Sequence, residues 1–186
     1  MGFYKYQVIP VIIIFILITS ACKKNDEKPD ETPPVLSVTP VDISSVMSII
    51  AFGADLTPVQ KNPAFEYIVN NSSGQVRSVC KGYIEEIRLN DNFPDYEVWI
   101  KMSSNSVYRI IYDHVLNLNI SKDDKVNPGD IFGIVGTGNR TELQINKIGT
   151  NNEELSYCPF DFGTSEFIQQ HKTFTETWCL TETVIP

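Results

Sequence analysis

From Val76 onward the chain is a succession of short apolar runs separated by turn-forming residues. Val76–Val79, Tyr83–Leu89, Tyr96–Met102, Val107–Tyr112, Ile131–Val135 and Glu142–Ile148 are the strands this pattern predicts. Several alternate with period two, as a strand with one buried face requires. Tyr83, Glu85, Ile87 and Leu89 share one face of their run, and Tyr96, Val98, Ile100 and Met102 share one face of the next. Asn90-Asp91-Asn92 and Asn127-Pro128-Gly129-Asp130 supply turn chemistry between runs. Gly133, Gly136 and Gly138 predict tight corners and close strand packing. Gly136-Thr137-Gly138 lacks a third glycine and a following helix pattern, so it does not read as a phosphate loop. One late helix is predicted over Ser165–His171, opened by Thr164 or Ser165 as a cap. Asp42–Ile50 fits a helix or a strand, and the pattern does not choose. The class is mostly β: a compact antiparallel barrel or sandwich with irregular termini and one short C-terminal helix.

The N-terminus follows a different logic. Lys5 is the only charge before Cys22, and Val8 to Ile18 is an aliphatic run broken only by Pro10. That run suits the apolar region of a signal peptide and is short of the roughly 20 residues a membrane span needs. Thr19-Ser20-Ala21-Cys22 then leads small residues directly into a cysteine, which resembles a lipobox with Thr19 where Leu is usual. The expectation is cleavage before Cys22 and lipidation of that cysteine. Ordinary cleavage after Ala21 and an uncleaved anchor are the alternatives. Lys23 to Pro34 offers no large apolar residue, so it reads as a tether that cannot repay its ordering entropy. The expected organisation is a signal peptide over 1–21, the lipidated cysteine and tether over 22–41, and a β domain over 42–186. Lys23 after the cysteine resembles the sorting signal for the outer membrane, which makes that the expected location.

Composition narrows the partners. The whole chain carries −8, and losing residues 1–21 removes only Lys5, leaving −9 on the mature part. No basic patch stands out, so no nucleic-acid partner is expected. An acidic surface is repelled by anionic lipid, which leaves acyl chains as the membrane anchor. Four cysteines become three once Cys22 is acylated. In an oxidising compartment Cys158 and Cys179, at a spacing disulfides commonly close, are the expected pair. Cys80, within a strand-like run, reads as a small buried hydrophobe. His171 sits in a polar Gln-Gln-His-Lys run and reads as exposed.

Between Asn62 and about Ile148, Tyr112-Asp113-His114, the block KVNPGDIFGIVG over Lys125 to Gly136 and Glu142-Leu143-Gln144-Ile145 follow one another in an order that resembles the lysostaphin-type zinc peptidases, whose core is a β-barrel built on a duplicated hybrid motif. Gln75 to Ile84, with Val76, Val79 and Gly82, looks like the strand–turn–strand of that family. Tyr112-Asp113-His114 resembles its Y-x-H segment. Lys125 to Gly136, reading KVNPGDIFGIVG, resembles its K-V-x-x-G-D-x-I-G-x-x-G block, and Glu142-Leu143-Gln144-Ile145 falls where the family carries H-x-H. The motif core is thus about 62–148, roughly half of the mature chain.

The resemblance implies a zinc held by a His, an Asp four residues later, and the second His of H-x-H, with two further histidines serving the reaction. Position by position, Asn62 and Glu66 stand at the first two ligands and Gln144 at the third, while Glu142 replaces one catalytic His. Only His114 is kept. Zinc sites are built from imidazole, thiolate and carboxylate, so neutral amides at two of three positions imply loss of the metal and of its activated water. The expected cofactor set is therefore empty. The implied function is a catalytically degenerate module at the cell envelope, anchored by lipid, that binds peptidoglycan, a peptide or an envelope protein. A residual endopeptidase using His114 with Glu142, and a structural lipoprotein with no ligand, are the competing readings.

Overall fold

The structure, a computed structural model, describes residues 1–2, 28–180 and 184–186. Residues 3–21 of the expected signal peptide and Cys22 lie outside these described residues. Thirteen strands are described: β1 (Val46–Ile50), β2 (Asp55–Thr57), β3 (Gln60–Lys61), β4 (Ala64–Val69), β5 (Gln75–Arg77), β6 (Gly82–Leu89), β7 (Tyr96–Lys101), β8 (Tyr108–Leu116), β9 (Lys125–Val126), β10 (Ile131–Val135), β11 (Arg140–Ile148), β12 (Glu154–Tyr157) and β13 (Val184–Ile185). One helix, α1, covers Ser165–Lys172. Eleven of the strands form one antiparallel sheet whose main path runs β1-β4-β11-β8-β7-β6-β9, with β10 bridging β5 and β8. The mostly β, antiparallel class is the one the pattern predicts. The path ends on β1 and β9 without closing.

The predicted runs become strands with small shifts, and the shifts have local causes. The Val76–Val79 run starts one residue earlier and stops at Arg77, because Val79 gives its N–H to the Tyr112 hydroxyl at 2.7 Å instead of to a ladder. Asp42–Ile50 resolves into both alternatives. Asp42 caps a 3-10 turn over Ile43–Ser45, accepting from Ser44 N at 3.0 Å, and β1 follows. Thr164 caps α1, as its spacing from Phe167 allows.

Three features correct the expectations. The stretch from 28 to 41 is packed on the domain: Asp30 pairs with Asn105 and Val107, and Leu36 is fully buried between hydrogen bonds to Phe162 and Thr164. Leu36 and Val41 supply apolar surface that Lys23 to Pro34 lacks, so the domain boundary expected at 42 moves N-terminal to it. Strand β4, absent from the predicted set, is buried on both faces near its start and so shows no clean alternation. His171 is fully buried, not exposed. It lies within an aromatic cluster of Phe65, Tyr67, Phe160, Phe167 and Trp178 that α1 presses against β4. Cys158 and Cys179, Cα atoms 6.1 Å apart, form a disulfide beside this cluster. Cys80 is a free, buried thiol, and burial pushes its pKa up to about 12.

Candidate functional site

Sheet register builds the site. On β11, Glu142 is the direct partner of Glu66 on β4 and of Asp113 on β8. Residues directly opposite in antiparallel strands share a face, so three carboxyls stand side by side. Glu97 on β7 extends the row and also acts on the Glu142 charge. Like charges placed opposite one another repel, and here the repulsion falls mainly on the central member. Burial, then Glu66 and Asp113, push the Glu142 carboxyl up to about 8 against the opposing pull of Arg140. At neutral pH Glu142 is mostly protonated.

Along the same face the row gives way to Gln144, Ile111 and Trp99, which are neighbours across β11, β8 and β7. Trp99 is clamped between two guanidinium groups, with Arg88 at 4.2 Å and Arg109 at 4.0 Å from its ring centroid. Arg109 is in turn held by Glu85 at 2.9 Å and Glu154 at 3.0 Å. The strip is thus acidic at one end and aromatic-cationic at the other.

His114 enters this face through a backbone exception. Its φ of 54° lies in the left-handed region, uncommon for a residue with a side chain. Gly136 makes the conformation possible from the opposite side. Its N–H binds the His114 carbonyl at 2.8 Å, and a Cβ there would sit only 2.7 Å from the His114 carbonyl carbon. The ring then has Nδ1 3.1 Å from Asp95 Oδ2 and Nε2 3.7 Å from both Asp113 Oδ2 and Glu142 Oε1. Phe93 covers the ring edge-on, centroids 5.3 Å apart.

Asp95 is fully buried and fully partnered. It accepts from Asn90 Nδ2 at 2.8 Å, from the Thr137 N–H at 2.9 Å, and it faces His114 Nδ1. Burial works against its charge, but these bonds outweigh it and hold the carboxyl below the ordinary range. Asn90 also donates to Asp113 at 2.7 Å, so one amide ties the two acids together. Arg140, two residues before Glu142 on β11, donates from Nη1 to Glu66 at 3.1 Å and from Nη2 to His114 Nε2.

Of the residues singled out in the sequence, His114, Glu142 and Glu66 are brought together and Asn62 and Gln144 are not. Asn62 is buried with its amide donating to the carbonyls of Ile50, Ala51 and Ala64 at 3.1, 3.1 and 2.9 Å. Gln144 turns to Asn146 at 2.8 Å and Ser156 at 3.1 Å. Asp95, Asp113, Glu97 and Arg140 are additions that sequence reading missed. Arg140, two positions before Glu142, carried a signal in period-two spacing, whereas Asp113, adjacent to His114, shares its face only because of the His114 backbone. Asp95, in the loop before β7, carried none.

The donors present do not fit the zinc that the fold implies. Both amides at ligand-matching positions are engaged with their own surroundings, and Glu66 is bound to Arg140. Asp95, Asp113 and His114 offer atoms within 4.8 Å of one another, the spacing of a metal cluster. Each of those groups is nonetheless already hydrogen-bonded, to Asn90, Thr137 or Arg140 among others.

No protein-family profile matches the sequence, and no curated protein matches it. Solved structures do. Lysostaphin aligns over 63% of this chain and 52% of its own length at 17% identity, with a TM-score of 0.52. Csd3 of Helicobacter pylori aligns over 70% of this chain and 35% of its own at 20% identity, with a TM-score of 0.53. A chain of the SpoIIQ–SpoIIIAH pore-forming complex aligns over 71% of this chain and 92% of its own at 12% identity, with a TM-score of 0.51. The match thus spans about half of lysostaphin and about a third of Csd3. The domain is built on the fold of the lysostaphin-type metallopeptidases.

Proposed function

We propose that this domain is a non-hydrolytic binding module on a peptidase fold, held at the bacterial envelope by a lipid on Cys22, where it engages peptidoglycan or an envelope protein. The observation that carries the reading is the fate of the three ligand-matching side chains. Asn62 and Gln144 are tied to neighbouring groups, and Glu66 is tied to Arg140. An imidazole or carboxylate lost from the metal's immediate surroundings cannot be replaced by groups behind it. What survives is a half-buried face with a carboxyl row, a histidine and a guanidinium-clamped tryptophan, suited to polar peptide contacts. The leader ending in Cys22 and the Lys23 after it support the envelope placement and the outer membrane as its site. One of the similar structures is a two-protein pore-forming complex, SpoIIQ–SpoIIIAH, which supports a protein as the alternative ligand to wall.

The test is co-sedimentation of the purified mature domain with isolated peptidoglycan, with soluble fragments assayed in the same tubes. Sedimentation without fragment release is expected. Fragment release that disappears in His114→Ala would overturn the reading in favour of an active peptidase.

A further inference from the structure

The positive charge at the centre of the acidic row comes from the chain itself. Arg140 reaches Glu66 Oε1 at 3.1 Å with one nitrogen and His114 Nε2 with another, and its guanidinium lies over the Phe93 ring at 5.4 Å. A guanidinium donates hydrogen bonds and cannot accept them. Nε2 of His114 must therefore present its lone pair to Arg140, and the ring proton must be on Nδ1, directed at Asp95 3.1 Å away. A carboxylate behind one ring nitrogen is the arrangement that normally prepares the other nitrogen for a metal or a proton. Here that other nitrogen is already occupied.

We propose that Arg140 is the resident cation of this site, and that its guanidinium closes the His114 Nε2 lone pair and the Glu66 carboxylate to divalent metal. Guanidinium is well suited to the task. It is permanently charged, its planar fork reaches two acceptors at once, and its flat face packs on an aromatic ring. Without it, Glu66, only 6% exposed at its side chain, would be a buried carboxylate with no cation paired to it among the described residues. Nε2 would then face Asp113 and Glu142 oxygens 3.7 Å away, a mixed imidazole and carboxylate set of the kind zinc accepts. Arg140 thus adds a second barrier to metal at this face, beside the amides at Asn62 and Gln144, whatever the domain binds.

Zinc alone, titrated calorimetrically into the mature protein, tests this with Arg140→Ala, Arg140→Lys and the Arg140→Ala/His114→Ala pair. The Arg140→Ala variant should bind zinc at least about tenfold more tightly than wild type, and adding His114→Ala should remove the gain. Arg140→Lys keeps a cation in place and should stay near wild type. Independently of any variant's folding, the long-range proton–nitrogen spectrum of wild-type His114 should show a protonated Nδ1 and a bare Nε2. Wild type binding zinc as tightly as Arg140→Ala, or carrying the His114 proton on Nε2, would overturn the proposal. If Arg140→Ala does not fold, the tautomer decides alone. Failure of wall binding with this tautomer intact would fault the functional reading and leave Arg140's role standing.

Discussion

Glu142 and Glu66 are direct partners on adjacent antiparallel strands, two carboxyls facing the same way with Asp113 completing the row on the other side of Glu142. The arrangement costs stability at neutral pH, and the cost has a defined pH window. Glu142 titrates near 8 in the folded chain and near 4.5 in the unfolded one. Below pH 4.5 both states hold the proton and the group adds nothing against folding. As pH rises from 4.5 to 8 the unfolded chain releases a proton that the folded chain must keep, so stability falls, and above 8 the loss is complete.

Glu142→Gln removes that titration while keeping shape and polarity. The variant should match wild type more closely near pH 4.5 and exceed it increasingly toward pH 9, by on the order of 5 kcal/mol, which is roughly 10 °C or more in midpoint. Thermal melts of both proteins across this range give the comparison. A gap that stays constant from pH 4.5 to 9 would show that Glu142 does not titrate as the carboxyl row requires.

Much of this site was legible before the fold, but only the part that motif spacing carries. His114, Glu66 and Glu142 were in view because ordered matches on several runs fixed their positions. Asp95 lies 19 residues before His114 in a loop, and its approach depends on the register of β7 against β8 and on the shift between Tyr96 and Val98. Arg140 was in view as a residue, but its role follows from three strands lying side by side. Among the elements, β7 was visible through its alternation, whereas β4 was hidden by burial on both faces. In β6 the expected face of Tyr83, Glu85, Ile87 and Leu89 is broken by a register shift between Ile84 and Glu86, and Ile84 is the residue that is buried. His171 was misread because Gln169, Gln170 and Lys172 surround it in sequence. One helical turn back, Phe167 points to the core, and the i,i+4 relation carries His171 inward with it.

Lipidation at Cys22 is a separate expectation, independent of the site. Growth with an alkyne palmitate analogue should label the full-length protein, and Cys22→Ala should be unlabelled and released from the membrane fraction. Equal labelling of the two would mean the acyl chain, if present, is elsewhere. A soluble, unlabelled wild type would point instead to ordinary cleavage after Ala21.

His171 sets the acid limit of the fold. Its Nδ1 lies 2.8 Å from the Phe167 carbonyl, which can only accept, so Nδ1 carries the proton and Nε2 accepts from the Tyr67 hydroxyl at 2.7 Å. Both ring nitrogens are satisfied by the neutral form, and burial lowers the pKa from 6.5 to about 4, with the Phe167 bond pulling the other way. Above pH 6.5 neither state is protonated and folding carries no cost from this group. As pH falls from 6.5 to 4 the unfolded chain gains a proton that the folded chain refuses, so stability declines, and below 4 the loss is complete. Its size is on the order of 3 kcal/mol. Trp178 reports the event directly, because its ring centroid is 4.8 Å from that of His171 and its indole N–H donates to the His171 carbonyl. The control is the pair Tyr67→Phe/His171→Leu, which removes the titrating ring without leaving the buried hydroxyl unpaired. Urea unfolding followed by tryptophan fluorescence should show wild type losing stability relative to the pair between pH 6.5 and 4. Parallel curves over that range would mean that the His171 pKa is ordinary and that the acid sensitivity of the fold resides in its carboxylates.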